Sequence, residues 1–343
     1  MAPNVDPAIL EALGLEPTSS KLVPIGGSSF CSTYKLVATN NSEDLSFFVK
    51  TGIGPDAEIM FRGEYTSLNA LHSADPSLHL CPRAHAHGPL RSSPDKHFLV
   101  TDYLDFTSSP PPDGTGTGLS LAAKLAKLHT TPAPIPHDEG FSTPQFGFPV
   151  PTCCGATIQS NTFTSSWSQF YAEHRLRSIL REIMGTRKNG PESNSDKELA
   201  DAVERVASVV VPRLLGEGHL KGVYPVVVHG DLWSGNHGRG RIANEEGVEE
   251  VVFDPSCVYG HSEYELGIMR MFGGFGSGFW REYERLVSRA EPKEEWEDRV
   301  TLYELYHHLN HYALFGRGYR SGAMSIMRKL ISKYGGASAA HQE

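Results

Sequence analysis

One stretch of this chain leaves little conformational freedom. Residues 226–238 read VVVHGDLWSGNHG, and residues 251–256 read VVFDPS. Three valines in a row fit a short buried strand, and this one hands over through a Gly to Asp231. Asn236 follows five residues after Asp231, and the second apolar run ends on Asp254. Asp, Asn and Gly are ordinary turn formers, so each alone says little. Set in this order between two apolar strands, they place two carboxylates and a carboxamide at neighbouring strand ends. Asp254 and the amide oxygen of Asn236 are hard oxygen donors of the kind Mg²⁺ takes. Asp231 stays clear of the metal, and a carboxylate so placed suits the removal of a hydroxyl proton.

The pattern H-x-D-x-x-x-x-N followed by a strand-terminal Asp is the one kinases use to transfer a phosphoryl group from ATP. On this reading Asp231 is the base, and Asn236 and Asp254 hold Mg²⁺. The nucleotide then belongs upstream. Lys50 ends the strand FFVK, where a kinase keeps its phosphate lysine. Glu64 lies 14 residues on, in a helix over 56–72 marked by Phe61, Tyr65, Leu68 and Leu71, and it can reach back to pair with Lys50. Gly26, Gly27 and Ser28 stand between two strands, in the place of a loop that covers phosphates. Asp102, Tyr103 and Leu104 close a strand over 97–104, where a kinase hinge offers backbone groups to adenine. Asp254 is followed by Pro-Ser and no A-P-E segment comes after it. That points away from a phosphorylated activation segment and towards an acceptor that is a small molecule or a small modified group.

The rest of the chain fits two lobes. A short helix over 6–14, strands over 20–52, the 56–72 helix and the 97–104 strand make a small β-rich lobe. Residues 106–118, FTSSPPPDGTGTG, read as a flexible loop. Leu121, Leu125 and Leu128 start a mainly helical lobe. It continues with an extended Pro-rich run over 130–151 and helices over 167–184, 197–215 and 296–312. Strands 226–228 and 251–253 form a small hairpin within it. The division is 1–104, an ATP-binding lobe with a short N-terminal helix, and 105–343, a catalytic and substrate-binding lobe.

Composition narrows the partners. Hydrophobic residues make up 39% and charged residues 21%, enough apolar content for a real core. The formal net charge of −9 argues against nucleic acid or an anionic membrane as a general partner. No apolar run reaches membrane-spanning length. The opening MAPNVDPAILEALGLEP reads as neither a secretory nor a transit peptide. Five cysteines without a framework spacing suit reduced thiols in the cytoplasm. Cys153-Cys154 has no second ligand pair at zinc spacing. His307, His308 and His311 suit polar helix packing.

Beyond the kinase pattern, the chain resembles the fructosamine-3-kinase (ketosamine-3-kinase, protein-ribulosamine 3-kinase) family. The segments are FFVKTG (47–52), MFRGEYTSLNAL (60–71), FGFPVPTCCGATIQSN (146–161), WSQFYAEHRL (167–176), VVHGDLWSGN (227–236), FDPSCVYGHSEYELGIMRMFGGF (253–275) and LNHYALFGRGYRS (309–321). The resemblance implies an α+β, bilobal protein-kinase-like fold of the aminoglycoside and choline kinase type, with a small β-rich N-lobe and a larger, mainly α C-lobe. It implies ATP-dependent phosphorylation of the sugar 3-hydroxyl in ketosamines, with Mg²⁺. Its acceptors are fructosamine or ribulosamine adducts on glycated small molecules or glycated protein lysines. The phosphorylated adduct is unstable and sheds its sugar, which amounts to deglycation. Trp233 has two readings side by side, a platform for the sugar ring and a packing residue of the catalytic loop; His261 is a further substrate candidate. The glycine loop GGSSFCSTY is shorter than the family's usual one. A monomer, or a homodimer joined by a redox-sensitive Cys31 disulfide, is expected. The alternatives are a related kinase for an aminoglycoside, choline or another sugar, and an inactive kinase-like binding module. The presence of Lys50, Glu64, Asp231, Asn236 and Asp254 together weighs against the last.

Overall fold

The computed structural model describes residues 4–27, 31–40, 43–106, 116–186, 196–243 and 245–336. Ser28 and most of the loop at 106–118 lie outside the described residues. The first helix, α1 (Pro7–Leu13), is capped by Asp6, whose side chain accepts from the Ala8 N–H, and is closed by Gly14 in the left-handed region. Its Ile9 and Leu10 are buried against a five-stranded antiparallel sheet. The sheet contains β1 (Ser20–Gly27), β2 (Ser32–Asn40), β3 (Glu43–Ile53), β4 (Ala84–Pro89) and β5 (Lys96–Asp102), in the order β1-β2-β3-β5-β4. Alternation puts Leu36, Val49, Phe98 and Val100 on the face that α1 covers. The edge strand β4, AHAHGP, was not expected from sequence: it is short, with no β-branched residue, and exists through its pairing with β5.

Helix α2 (Gly54–Ala74) connects β3 to β4. Its Phe61, Leu68 and Leu71 join a second core with Leu121, Leu125, Val227 and Val252 of the larger lobe. The helix therefore lies between the two lobes and touches both.

Two expected elements differ in detail. The strand expected over 97–104 stops at Asp102. There the Asp102 carboxylate accepts from the Arg83 N–H at 2.8 Å and meets His85 Nε2 at 2.7 Å, which closes the sheet's end. After Tyr103 the chain forms a separate strand, β6 (Leu104–Asp105). A second small pair follows, β7 (Thr152–Cys154) with β8 (Thr157–Gln159). The expected hairpin of 226–228 with 251–253 does not form. Instead β9 (Val226–Val228) pairs with β12 (Val258–Gly260), and β11 (Glu249–Val252) pairs with β10 (His237–Ile242), which also meets β6. The hidden partner is β10, HGRGRI, whose two glycines and two arginines carry almost no strand signal.

Helices supply the rest: α3 (Leu121–Thr130), α4 (Trp167–Tyr171), α5 (Ser178–Thr186), α6 (Lys197–Arg205), α7 (Val211–Leu215), α8 (Glu265–Phe272), α9 (Ser277–Leu286), α10 (Trp296–Phe315) and α11 (Arg320–Tyr334). Wider π-type turns at 172–177 and 206–210 join α4 to α5 and α6 to α7. Among the described residues no helix is long and apolar enough to cross a membrane.

One buried ion pair ties α3 to the strand that ends in the site. Lys124, with no exposed side-chain surface, donates to Glu249 at 2.6 Å, to the Glu250 carbonyl at 3.1 Å and to the His79 carbonyl at 3.2 Å. Removing one partner of such a pair strands the other charge without water. Lys124→Met is therefore expected to destabilise the fold by about 3–5 kcal/mol. The check is a urea unfolding curve, whose midpoint should fall with its slope unchanged.

Candidate active site

Most of the expected residues meet in one cleft between the lobes. It holds a cavity of about 530 Å³ lined by Gly26, Gly27, Lys50, Glu64, Asp231, Trp233, Asn236 and Asp254. A second cavity of about 270 Å³ adjoins it, walled by Phe48, Leu68, Leu104 and Phe253 and reached by Asp102 and Tyr103. Ile25 lines both, at the point where the pairing of β1 with β2 slips register. Ser28, expected in the same loop, lies outside the described residues.

Lys50 sits on β3 with its ammonium buried. Its Nζ donates to Glu64 Oε1 at 2.7 Å and Oε2 at 2.8 Å, and also to Asp254 Oδ1 at 2.8 Å. Sequence reasoning supplied the first partner and missed the second, because 204 residues separate Lys50 from Asp254. Burial disfavours the charge on Lys50, yet Glu64 and then Asp254 outweigh it, and the ammonium is held protonated. Asp254 has a φ of 55°, a left-handed conformation rare outside glycine. That bend turns its side chain off the end of the strand into the cleft.

The loop after β9 is fixed mainly through its backbone. Glu265, fully buried at the start of α8, accepts from the His229 N–H at 2.6 Å and the Gly230 N–H at 3.0 Å. Gly230 has a φ of 81°, and a Cβ there would stand 2.1 Å from the Ser256 carbonyl oxygen. Only glycine fits. His229 bridges the two functional segments. Its Nδ1 accepts from the Asp231 N–H at 3.3 Å, and its Nε2 donates to the Phe253 carbonyl at 3.0 Å. Burial lowers its pKa and keeps the ring neutral, as this donor–acceptor pattern requires. Asn236 Nδ2 donates to the Asp231 carbonyl at 2.9 Å. Burial pushes the Asp231 carboxyl up to about 8; Asp254 and Glu265 add to this, while contacts from Cys154 and Asn236 oppose it.

The donor set suits a nucleotide with Mg²⁺. Mg²⁺ is usually held by one or two protein oxygens together with phosphates and water, and Asp254 and Asn236 bring such oxygens to the larger cavity. The smaller cavity is an apolar slot beside the Asp102–Leu104 backbone. The Asp102 side chain is already committed to Arg83 and His85, and the Tyr103 carbonyl accepts from the Ala243 N–H at 2.8 Å.

The comparisons agree with this geometry. The family model for fructosamine kinase matches residues 1–333. The chain belongs to the fructosamine kinase family. It is 35% identical to a rice (Oryza sativa subsp. japonica) chloroplastic protein-ribulosamine 3-kinase, over 93% of this chain and 85% of that protein. It is 33% identical to the mouse ketosamine-3-kinase, over 82% of this chain and 87% of the relative. Among solved structures, a Thermobifida fusca protein described as a candidate fructosamine-3-kinase aligns with a TM-score of 0.70 at 24% identity, covering 96% of this chain and 98% of that one. An aminoglycoside phosphotransferase solved with ADP and hygromycin B aligns at 0.53 and 14% identity, covering 96% and 97%. Both share the bilobal kinase-like fold.

Within this family member two substrate candidates part company. Trp233 is 40% exposed on the cleft wall, its ring 5.9 Å from Phe272. It also covers Gly235, where a Cβ would come within 2.1 Å of the indole, so the ring packs on the loop that carries Asp231. His261 is not brought to the cleft. It is 3% exposed, bonded to the Tyr303 hydroxyl at 2.8 Å, and burial lowers its pKa to about 4. Its place after β12 turns it into the core of the helical lobe, a correction to its reading as a substrate residue. His307 is fully buried, His308 faces Glu304 at 3.2 Å, and His311 donates to the His307 carbonyl at 2.9 Å.

Sequence reasoning also missed Glu265, although it stands inside the quoted segment YGHSEYELG. An acid opening a helix usually serves the helix dipole, and nothing local shows that it reaches back to another loop. Glu265→Ala leaves two buried N–H groups without acceptors, at about 2–4 kcal/mol in total. A thermal melt of the variant should show a drop of several degrees; an unchanged midpoint would remove Glu265 from this role.

Proposed function

We propose that this protein is an ATP-dependent ketosamine 3-kinase that phosphorylates the sugar 3-hydroxyl of fructosamine or ribulosamine adducts. The observation that carries the reading is the Lys50 ammonium. It is held by Glu64 of one lobe and lies 2.8 Å from Asp254 of the other, with Asp231 and Asn236 on the same cavity wall. The family match and relatives named ribulosamine and ketosamine kinases support the acceptor class. The reading of the small lobe, 1–104, as the nucleotide half and 105–343 as the catalytic half belongs to the same proposal. So does a cytoplasmic setting, which the buried thiols Cys81, Cys154 and Cys257 suit.

In the proposed reaction Lys50 positions the phosphates, with Glu64 keeping its ammonium in place. Gly26 and Gly27 lie over them, and the backbone of Asp102–Leu104 faces the base. Asp254 and Asn236 would hold Mg²⁺, which when bound neutralises charge on the β- and γ-phosphates. Asp231 orients the sugar hydroxyl and takes its proton as the oxygen attacks the γ-phosphorus; the bond to the bridging oxygen breaks and ADP leaves. Trp233 offers its exposed face beside the acceptor. Glycated small molecules and glycated protein lysines are the substrates, and loss of the sugar from the phosphorylated adduct regenerates the amine.

A single ADP-release assay tests this, with fructosyl-lysine, ribulosyl-lysine, choline and an aminoglycoside offered in turn with Mg-ATP. Turnover is expected with the ketosamines. Asp231→Ala should lower kcat by about 10²–10⁴-fold while ATP binding persists. Turnover of choline or the aminoglycoside alone would overturn the acceptor, and a mild effect would remove Asp231 as the base. Cys31, half-buried on the cavity wall, enters only in assembly. A non-reducing gel of oxidised wild type should show a disulfide dimer that Cys31→Ser lacks; equal dimer in both removes Cys31 from the interface.

A further inference from the structure

We infer that Cys154 is a positioning residue for Asp231, and that the β7–β8 hairpin carrying it sets this aspartate against the Lys50–Glu64 pair. The inference rests on the phosphotransfer reading above. Cys154 is 1% exposed, and its Sγ lies 3.6 Å from Asp231 Oδ1. The other carboxylate oxygen, Oδ2, stands 3.5 Å from Asn236 Nδ2. The carboxylate is thus gripped from two directions, by its own loop and by a separate hairpin.

The direction of the thiol bond follows from its neighbours. Asn310 of α10, fully buried, donates Nδ2 to the Cys154 carbonyl at 3.2 Å and to its Sγ at 3.3 Å. With sulfur accepting from Asn310, its single hydrogen is left for Asp231. Burial and the charge on Asp231 raise the thiol far above its usual pKa, which keeps that hydrogen in place. A thiol is a weak donor. It fixes the orientation of Asp231 while drawing off little of the basicity a proton acceptor needs.

The hairpin also reaches the small lobe. Gly63 is the neighbour of Glu64 on α2, and a Cβ there would stand 2.8 Å from the Pro151 carbonyl oxygen and 3.1 Å from Thr152 Cα. Helix and hairpin are therefore in backbone contact beside the Lys50–Glu64 pair. At the hairpin's other end Gln159 Oε1 accepts from Ser256 Oγ at 2.7 Å, two residues past Asp254. One small element thus braces Glu64, Asp231 and Asp254 together, across the lobe boundary.

The test uses the full chain with Cys154→Ala and Cys154→Ser, reading kcat and KM by ADP release beside a thermal melt. Cys154→Ala is expected to lower kcat about tenfold with KM for ATP unchanged, since the lost bond orients the base and does not touch ATP. Cys154→Ser keeps a donor and should retain most of kcat. Wild-type kcat in Cys154→Ala, or equal losses in both folded variants, overturns the inference. A second measurement needs no substrate. Recorded above pH 8, where Asp231 is ionised and the Cys154 thiol still holds its hydrogen, the infrared S–H stretch that disappears in Cys154→Ser should shift to higher frequency in Asp231→Asn, where the charged acceptor is gone. A band that does not move overturns the contact, even where Cys154→Ala fails to fold. A shifted band beside a wild type that turns over no ketosamine sinks the substrate reading and leaves the contact standing.

Discussion

The Lys50 ammonium is the constraint around which the site is organised. A buried cation costs several kcal/mol unless anions surround it, and its two carboxylates come from distant segments. Glu64 belongs to the helix inserted after β3, and Asp254 lies two residues past the end of β11 in the helical lobe. Satisfying one charge therefore fixes the relative placement of β3, α2 and β11. The same demand suits function. Asp254 pairs with Lys50 at 2.8 Å, and on the proposed reading these two groups serve the metal and the phosphates.

Backbone satisfaction is the second constraint. Glu265 occupies the N–H groups of His229 and Gly230, while His229 links Asp231 to the carbonyl of Phe253. These bonds join the loop carrying the proposed base to the strand carrying the proposed metal ligand, with no direct contact between the two side chains. Such groups are buried and apart from the reacting atoms, and their value lies in holding geometry. The β7–β8 hairpin works in the same way from the opposite side of Asp231.

Much of the fold was legible locally. Helical spacing of Phe61, Tyr65, Leu68 and Leu71 marked α2, and apolar runs marked β3, β5, β9 and β11. Misreadings arose where pairing was decided by distant partners. HGRGRI has the composition of a loop, yet it is the strand that separates β9 from β11 and sends them to different sheets. AHAHGP is likewise a strand only because β5 offers it a ladder. Tyr103 interrupts a run that reads as continuous, because Asp102 caps the sheet with its own side chain.

The sequence by itself determined the family and pointed to the residues of the proposed site. Lys50, Glu64, Asp231, Asn236 and Asp254 stand in short motifs legible from residue type and spacing, and side-chain chemistry limits what each can do. Tertiary structure alone decided which groups support them. The Lys50–Asp254 contact, the reach of Glu265 to the loop backbone, the Cys154 thiol at Asp231 and the withdrawal of His261 into the core all join segments far apart in sequence. Hydrogen bonds and ion pairs act over about 3 Å, and only the folded chain brings those partners within that distance.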